Sequence, residues 1–173
     1  MSKKFLKLLL SFSLIAVLSL IVVWGVRADD EGTVTATVTV QNISVTVTDG
    51  TVAYGTLGQN STADTEPAQG QTATNNGNVT EDFDIKGLDS ADWTLETAAG
   101  TDQYVHKFCN DTDNDCTTPP TSYTALTTDY QDLDSAIITS GTVLFQLQIN
   151  TPNPSTVYTE QSVNVTVLAT AAS

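Results

Sequence analysis

Residues 33–55, TVTATVTVQNISVTVTDGTVAYG, decide the fold of this chain, because polar and apolar side chains alternate along them almost one for one. Strict alternation is typical of a β-strand with one face buried and the other in water. The apolar side chains fall on even positions up to Val40 and on odd positions from Ile43 onward. A change of parity without a turn predicts a bulge or kink at Gln41 and Asn42, where the strand crosses from one sheet to the other.

Shorter alternating runs follow, separated by turn residues. Asp49-Gly50 predicts a hairpin, because both positions tolerate the positive φ of a tight type I′ turn. Strand patterns return over residues 71–74, 79–85, 93–95, 104–108, 143–149 and 163–169, with a turn at residues 75–78, and helical spacing is absent after the N-terminal segment. Short strands at this spacing predict an all-β fold, an antiparallel immunoglobulin-like β-sandwich of about eight or nine strands, with a closed barrel as the alternative.

The N-terminal segment has the features of an export signal. Basic residues precede an apolar stretch, and small or apolar residues lead up to Ala28 before an acidic run. We expect a signal peptide over residues 1–28, an acidic linker over 29–32 and the β-sandwich domain over 33–173. The alternative is an uncleaved anchor, because residues 8–26 are mostly apolar and long enough to span a bilayer. In both cases the domain is expected to be extracellular, secreted or at the cell surface.

The chain is strongly acidic. Four of its six basic residues lie within residues 1–28, so residues 29–173 keep Lys86 and Lys107 against twenty acids, a formal charge of −18. Such a surface repels phosphate backbones and anionic lipids, so neither nucleic acid nor a membrane surface is an expected partner of the domain. The membrane is expected as a partner only through the N-terminal segment, if that segment is retained.

Two cysteines, Cys109 and Cys116, flank a short acidic run. In an exported chain, cysteines this close predict a local disulfide that pins a loop. The loop contains Asp111, Asp113 and Asp115 in a D-x-D-x-D run, a spacing that lets carboxylates converge on a hard cation. The run lacks the glycine and the bidentate glutamate of a full calcium loop, which leaves a weak Ca²⁺ site or a solvated acidic loop as the two interpretations.

Catalytic motifs are absent from the sequence. The single histidine, His106, alternates in phase with Tyr104 and Phe108, which is the position of a residue packed on a strand face. Nucleophile-elbow, zinc-protease and P-loop spacings do not occur. We therefore expect no catalytic residues, no enzyme activity and, apart from the weak Ca²⁺ site, no cofactor.

Aromatic residues suggest a different kind of site. Trp93, Tyr104, Tyr123 and Tyr130 are candidate stacking surfaces for a carbohydrate. Trp93-Thr94-Leu95 resembles the first W-x-L element of the WxL surface domains of Gram-positive bacteria, which are secreted β-rich modules. That resemblance implies non-covalent attachment to the cell wall, although residues 162–170 contain no second W-x-L element.

A broader resemblance covers most of residues 33–170. The signal segment, the V/T-rich opening strand, the tracts VAYGTL and NNGNVTEDFDIKG and the closing QSVNVTV strand are similar to small secreted immunoglobulin-like surface proteins of bacteria. A more distant likeness is to the camelysin and TasA group of matrix-fibre proteins, which share export and a β-sandwich. These resemblances imply an extracellular role without catalysis.

Three functions follow as hypotheses. The first is a structural or adhesive surface protein that acts as a single secreted β-sandwich. The second is a subunit of an extracellular fibre or matrix, in which residues 33–48 leave their own sandwich and complete that of a neighbour, with Gln41-Asn42 as the hinge. The third is a module that binds carbohydrate or cell-wall polymer. The expected partners are accordingly the protein itself, other surface proteins or cell-wall polymer.

Overall fold

The computed structural model describes residues 31–65, 69–112, 116 and 122–173. The chain divides into two units, residues 1–39 and residues 40–173. In the first unit, the described residues 31–39 are exposed and form no strand. The signal peptide predicted over residues 1–28 lies outside the described residues. Within the part of the chain that is described, there is no helix with the length and hydropathy needed to cross a membrane.

The described residues of the second unit form ten β-strands and contain no α-helix. In chain order the strands are β1 (Val45–Thr48), β2 (Thr62–Asp64), β3 (Gln71–Asn75), β4 (Glu81–Lys86), β5 (Thr94–Leu95), β6 (Gln103–Asn110), β7 (Thr124–Ala125), β8 (Gln131–Ile137), β9 (Thr142–Asn150) and β10 (Thr166–Ala171).

The strands form two sheets. The larger sheet has seven strands with the main order β1-β3-β9-β6-β5, to which β2 adds by pairing with β9 and β7 by pairing with β6. The smaller sheet has the order β10-β4-β8. All pairs are antiparallel except β5 with β6, which is parallel. The prediction of an all-β, sandwich-like fold is confirmed. Strands β2, β7 and β8 were not predicted. β2 and β7 have only three and two residues, too few to show alternation, and the pairing of β8 with β4 is interrupted by register shifts.

Both sheets contribute to one apolar core. Phe83 and Ile85 of β4 are fully buried and belong to the same cluster as Tyr104 of β6 and Phe145 of β9. Alternate residues of β4 are buried and half-buried, as the period of a strand with one face toward the core requires. The alternation in the sequence therefore identifies the inward faces of the long strands correctly.

The prediction of an opening strand over residues 33–48 is wrong for most of that range. The strand begins only at Val45, which pairs with Asn75, the last residue of β3. β3 ends there and the chain turns toward β4, so the backbone N–H groups of Asn76 and Asn78 in the turn bond to Ser44 and Asn42, but no ladder forms before Val45. Alternation alone does not reveal where the partner strand stops.

The predicted hairpin at Asp49-Gly50 is also wrong, although its local conformation is as expected. Asp49 and Gly50 both have positive φ, 68° and 54°. The residues that follow the turn, 51–54, form no strand, and β1 pairs with β3 instead. Tyr54 packs against His106 of β6, so the chain after the turn is held by side-chain packing.

Candidate functional site

The most unusual surface of the described chain is the stretch before β1. Val34, Val38 and Val40 are 94%, 91% and 81% exposed, whereas Val143 of β9 is fully buried. Exposing a valine forgoes about 1.5–3 kcal/mol of the free energy that its burial would contribute. Residues 33–43 contain no charged side chain. Residues 33–43 therefore have the alternation of a β-strand, but their valines are exposed to solvent.

A polar turn holds the chain where this stretch joins the second unit. The side chain of Asn78 makes two hydrogen bonds to it: the amide N–H of Asn42 donates to Oδ1 at 2.8 Å, and Nδ2 donates to the carbonyl of Val40 at 2.9 Å. The backbone N–H of Asn78 donates to the carbonyl of Asn42 at 3.1 Å, and that of Asn76 donates to the carbonyl of Ser44 at 2.8 Å. We call residues 75–78 together with Glu81 the exit clamp.

Glu81 is the buried part of the exit clamp. Its side chain is fully buried, and Oε1 accepts a hydrogen bond from the backbone N–H of Ser44 at 2.9 Å. Its other oxygen, Oε2, has no hydrogen-bond partner among the described residues. A buried polar side chain is costly unless it is hydrogen-bonded. Residues 42–44 are therefore fixed by side-chain bonds to their N–H groups together with backbone bonds from the turn to their carbonyls.

Asn75 and Gly77 complete the clamp. The fully buried Asn75 donates from Nδ2 to the carbonyls of Val79 and Ile137, both at 2.9 Å, and accepts from the N–H of Gly77 at 2.8 Å. A Cβ on Gly77 would overlap Glu81 Oε1 and the carbonyl oxygen of Asn42. The turn therefore needs glycine because the chain and the glutamate pass so close to it.

Burial of His106 rules out its use as an exposed acid or base. The side chain is 3% exposed, and Nε2 shares a hydrogen bond of 3.0 Å with the hydroxyl of Tyr54. Burial lowers the pKa of His106 to about 4, so the ring is neutral at physiological pH. Burial also raises the pKa of Tyr54, with the nearby Tyr123 and Asp64 as smaller causes. This pair is a packed, neutral contact between residues 51–54 and β6.

The four candidate stacking residues do not form one surface. Tyr104 is fully buried and donates its hydroxyl to the carbonyl of Leu88, so it offers no ring face to a ligand. Trp93 is half-buried against Tyr104, with ring centroids 6.2 Å apart. Tyr123 donates to Gln146 Oε1 at 2.9 Å, and Lys86 Nζ lies 4.4 Å from the ring centroid of Tyr130. Only Trp93 and Tyr104 are brought together, and they serve the core.

The predicted disulfide is confirmed. Cys109 and Cys116 are bonded, with Cα atoms 5.8 Å apart. Disulfides persist in oxidising compartments, which is consistent with an extracellular setting. On the chain-entropy estimate, closing a loop this short by a disulfide adds about 2.5 kcal/mol to the free energy of unfolding.

The acidic residues of that loop are described only in part. Asp111 is buried, and both its oxygens accept hydrogen bonds, Oδ1 from the N–H of Cys116 at 3.1 Å and Oδ2 from Gln146 Nε2 at 2.7 Å. Asp113 and Asp115 lie outside the described residues. The Ca²⁺ site stays a prediction, and Asp111 ties the loop to β9.

A shallow cleft lies beside the disulfide, between β6 and β8. Its volume is about 390 Å³, and the lining residues include Phe108, Asn110, Gln131, Asp132 and Leu133. Among the described residues that line it, Asp132 is the single ionisable side chain.

Comparison with known proteins gives no assignment. No protein-family model, curated protein or solved structure matches this chain. The features of the described residues that bear on function are the exposed stretch, the exit clamp and the edges of the sheets.

The exit clamp predicts a large effect for a small substitution. Gly77→Ala places a methyl group against Glu81 and Asn42, so the free energy of unfolding should fall by about 1–3 kcal/mol. Gly58→Ala is the control, because its Cβ would meet only the hydroxyl of Ser61, at 3.1 Å. Urea unfolding of both variants measures the difference. Equal stability of the two variants would show that Gly77 has room for a side chain.

The neutral His106 predicts a pH effect on stability. The unfolded chain takes up a proton near pH 6.5, whereas the folded chain resists protonation down to about pH 4. The stabilisation is complete above pH 6.5 and is lost as the pH falls toward 4, by about 2.5 kcal/mol between pH 7.5 and 4.5. His106→Gln keeps a polar partner for Tyr54 but does not titrate.

Urea unfolding of both proteins at these two pH values is the measurement. The carboxylates titrate equally in both proteins, so the change in the difference between them isolates His106. The same loss of stability in His106→Gln as in the parent protein would contradict a buried, neutral histidine.

Proposed function

We propose that this protein is a non-enzymatic structural protein of the cell surface whose copies assemble through residues 33–43. The observation that carries the proposal is the exposure of Val34, Val38 and Val40 within an uncharged, alternating stretch. An exposed apolar segment with strand alternation pairs readily with a free sheet edge. This favours the assembling subunit over a solitary adhesive domain among the hypotheses drawn from the sequence.

The charge of the protein supports the same choice. Residues 29–173 carry a formal charge of −18, so copies of the domain repel one another over most of their surfaces. Contact is least costly where charges are absent, and residues 33–48 have none. The exit clamp adds a fixed starting point, because it holds residues 40–44 at one end of the smaller sheet.

A role without catalysis is supported by the burial of the one histidine of the sequence and of its neighbour Tyr104. His106 is 3% exposed, and Tyr104 is fully buried. Secretion or display on the cell surface is supported by the basic and apolar N-terminal segment of the sequence and by the disulfide. Wall or carbohydrate binding has less support, because Tyr104 is fully buried and Trp93 packs against it, which leaves the exposed Tyr130 without a second candidate ring beside it among the described residues.

Substitution on the two faces of the stretch tests the proposal. Val38→Lys places a charge on the apolar face and should abolish assembly, whereas Thr37→Lys places the same charge on the polar face and should preserve it. Val38 is 91% exposed, so its substitution should change the unfolding free energy by less than about 0.5 kcal/mol. Light scattering across a concentration series, followed by electron microscopy, measures assembly.

Two outcomes would contradict the proposed function. In one, the parent protein stays monomeric at high concentration and in added salt, which screens its charge. In the other, Val38→Lys and Thr37→Lys assemble equally, which would show that the apolar face is not what joins the copies.

A further inference from the structure

The smaller sheet has two edge strands, β8 and β10, and they differ in how far they are protected. β8 carries Asp132 and Asp134, and its pairing with β4 shifts register twice. Near the end of β8, Ala136 has a positive φ of 58° and its N–H donates to Asp82 Oδ1 at 2.8 Å. Charges and bulges are the devices that keep an edge from accepting another strand. The edge of β8 is therefore closed to strand addition.

β10 has none of these devices. Its sequence, TVLATA, contains no charge, glycine or proline, and its six residues pair with β4 in unbroken register. Its outer edge pairs with no other strand described here. This strand presents the flat, uncharged edge that accepts another strand.

The core is also incompletely covered beside β10. The inward residues Val167 and Ala169 pack on the core but remain half-buried, whereas Phe83 and Ile85 of the neighbouring β4 are fully buried. Val163 and Val165 continue the same row and are half-buried as well. One more strand on this edge, with apolar side chains turned inward, would cover them.

β1, one edge strand of the larger sheet, is a poorer acceptor. It has four residues and is followed at once by Asp49, which has a positive φ of 68°. The side chain of Thr46, in the middle of β1, accepts a hydrogen bond from Asn76 Nδ2 at 2.7 Å. A strand of the length of residues 33–40 finds a longer partner in β10, which has six residues in unbroken register.

We propose that the free edge of β10 in one copy receives residues 33–40 of a second copy as a fourth strand of the smaller sheet. In the added strand, the apolar side chains would point to the same inward side as those of β10, and the threonines between them would face solvent. These apolar residues are Val34, Ala36, Val38 and Val40. The two segments also match in charge. Neither carries a charged residue, although residues 29–173 have a formal charge of −18. This inference rests on the proposed function and names the surface that the exposed stretch joins.

Crosslinking between two singly substituted proteins tests the acceptor. Thr37→Cys marks the solvent face of the stretch, and Leu168→Cys marks the solvent face of β10, where Leu168 is 38% exposed. Ser135→Cys, an exposed position on β8, is the matched control. The sequence has only two cysteines, and they form the disulfide, so the new thiol is the single free one.

Thr37→Cys protein is mixed with either partner and treated with a short bis-maleimide, and the dimer yield is compared on non-reducing gels. We expect severalfold more crosslinked dimer with Leu168→Cys than with Ser135→Cys. Light scattering of the same mixtures reports assembly independently. Assembly with equal yields, or with a higher yield for Ser135→Cys, would overturn β10 as the acceptor and leave the proposed function standing.

A double variant, Thr37→Cys with Leu168→Cys, separates a second copy from the chain's own segment. Crosslinking within one chain at low concentration, without dimers at high concentration, would overturn the inference in favour of a segment that folds back on its own domain. A complete lack of assembly in the parent protein would remove both the inference and the proposed function.

Discussion

The hydrogen bonds from Asn78 and Glu81 to residues 40–44 are the constraint on which the rest of the account depends. They occupy the backbone groups of Asn42 and Ser44 that a neighbouring strand would otherwise use. Backbone polar groups near a core have to be satisfied. Here the side chains of Asn78 and Glu81 satisfy the N–H groups, and the backbone of the turn satisfies the carbonyls. The chain is therefore fixed at this point, and the alternating stretch before it carries its valines into solvent.

The distribution of charge and burial gives this geometry its consequence. A domain with a formal charge of −18 is kept soluble and apart from its copies by repulsion. The uncharged stretch before β1 and the uncharged edge of β10 lack the acidic side chains that cause this repulsion. The half-buried Val167 and Ala169 show that the core is only partly covered along this edge. Assembly through these surfaces would cover apolar groups without bringing acidic surfaces together.

Much of the fold was predictable because its long strands follow simple alternation. The inward faces of β4, β6 and β9 and the disulfide could be read from local patterns. The residue at which the opening strand starts could not be predicted, because alternation runs through residues 33–40 although the partner strand stops at Asn75. The role of Glu81 was also hidden, since its burial depends on contact with Ser44, 37 residues away. The aromatic residues misled the prediction of a binding surface, because an aromatic residue in a strand gives the same sequence pattern whether it packs in the core or faces a ligand.

Hydrogen–deuterium exchange followed by mass spectrometry tests the central claim most directly. In dilute protein, peptides covering residues 33–40 should exchange at the rate of unpaired chain, while those of β4 and β9 stay protected. At concentrations where the protein assembles, protection should appear together in residues 33–40 and in β10, with β8 unchanged. Protection of residues 33–40 already present in the dilute monomer, or absent from the assembled protein, would contradict the account.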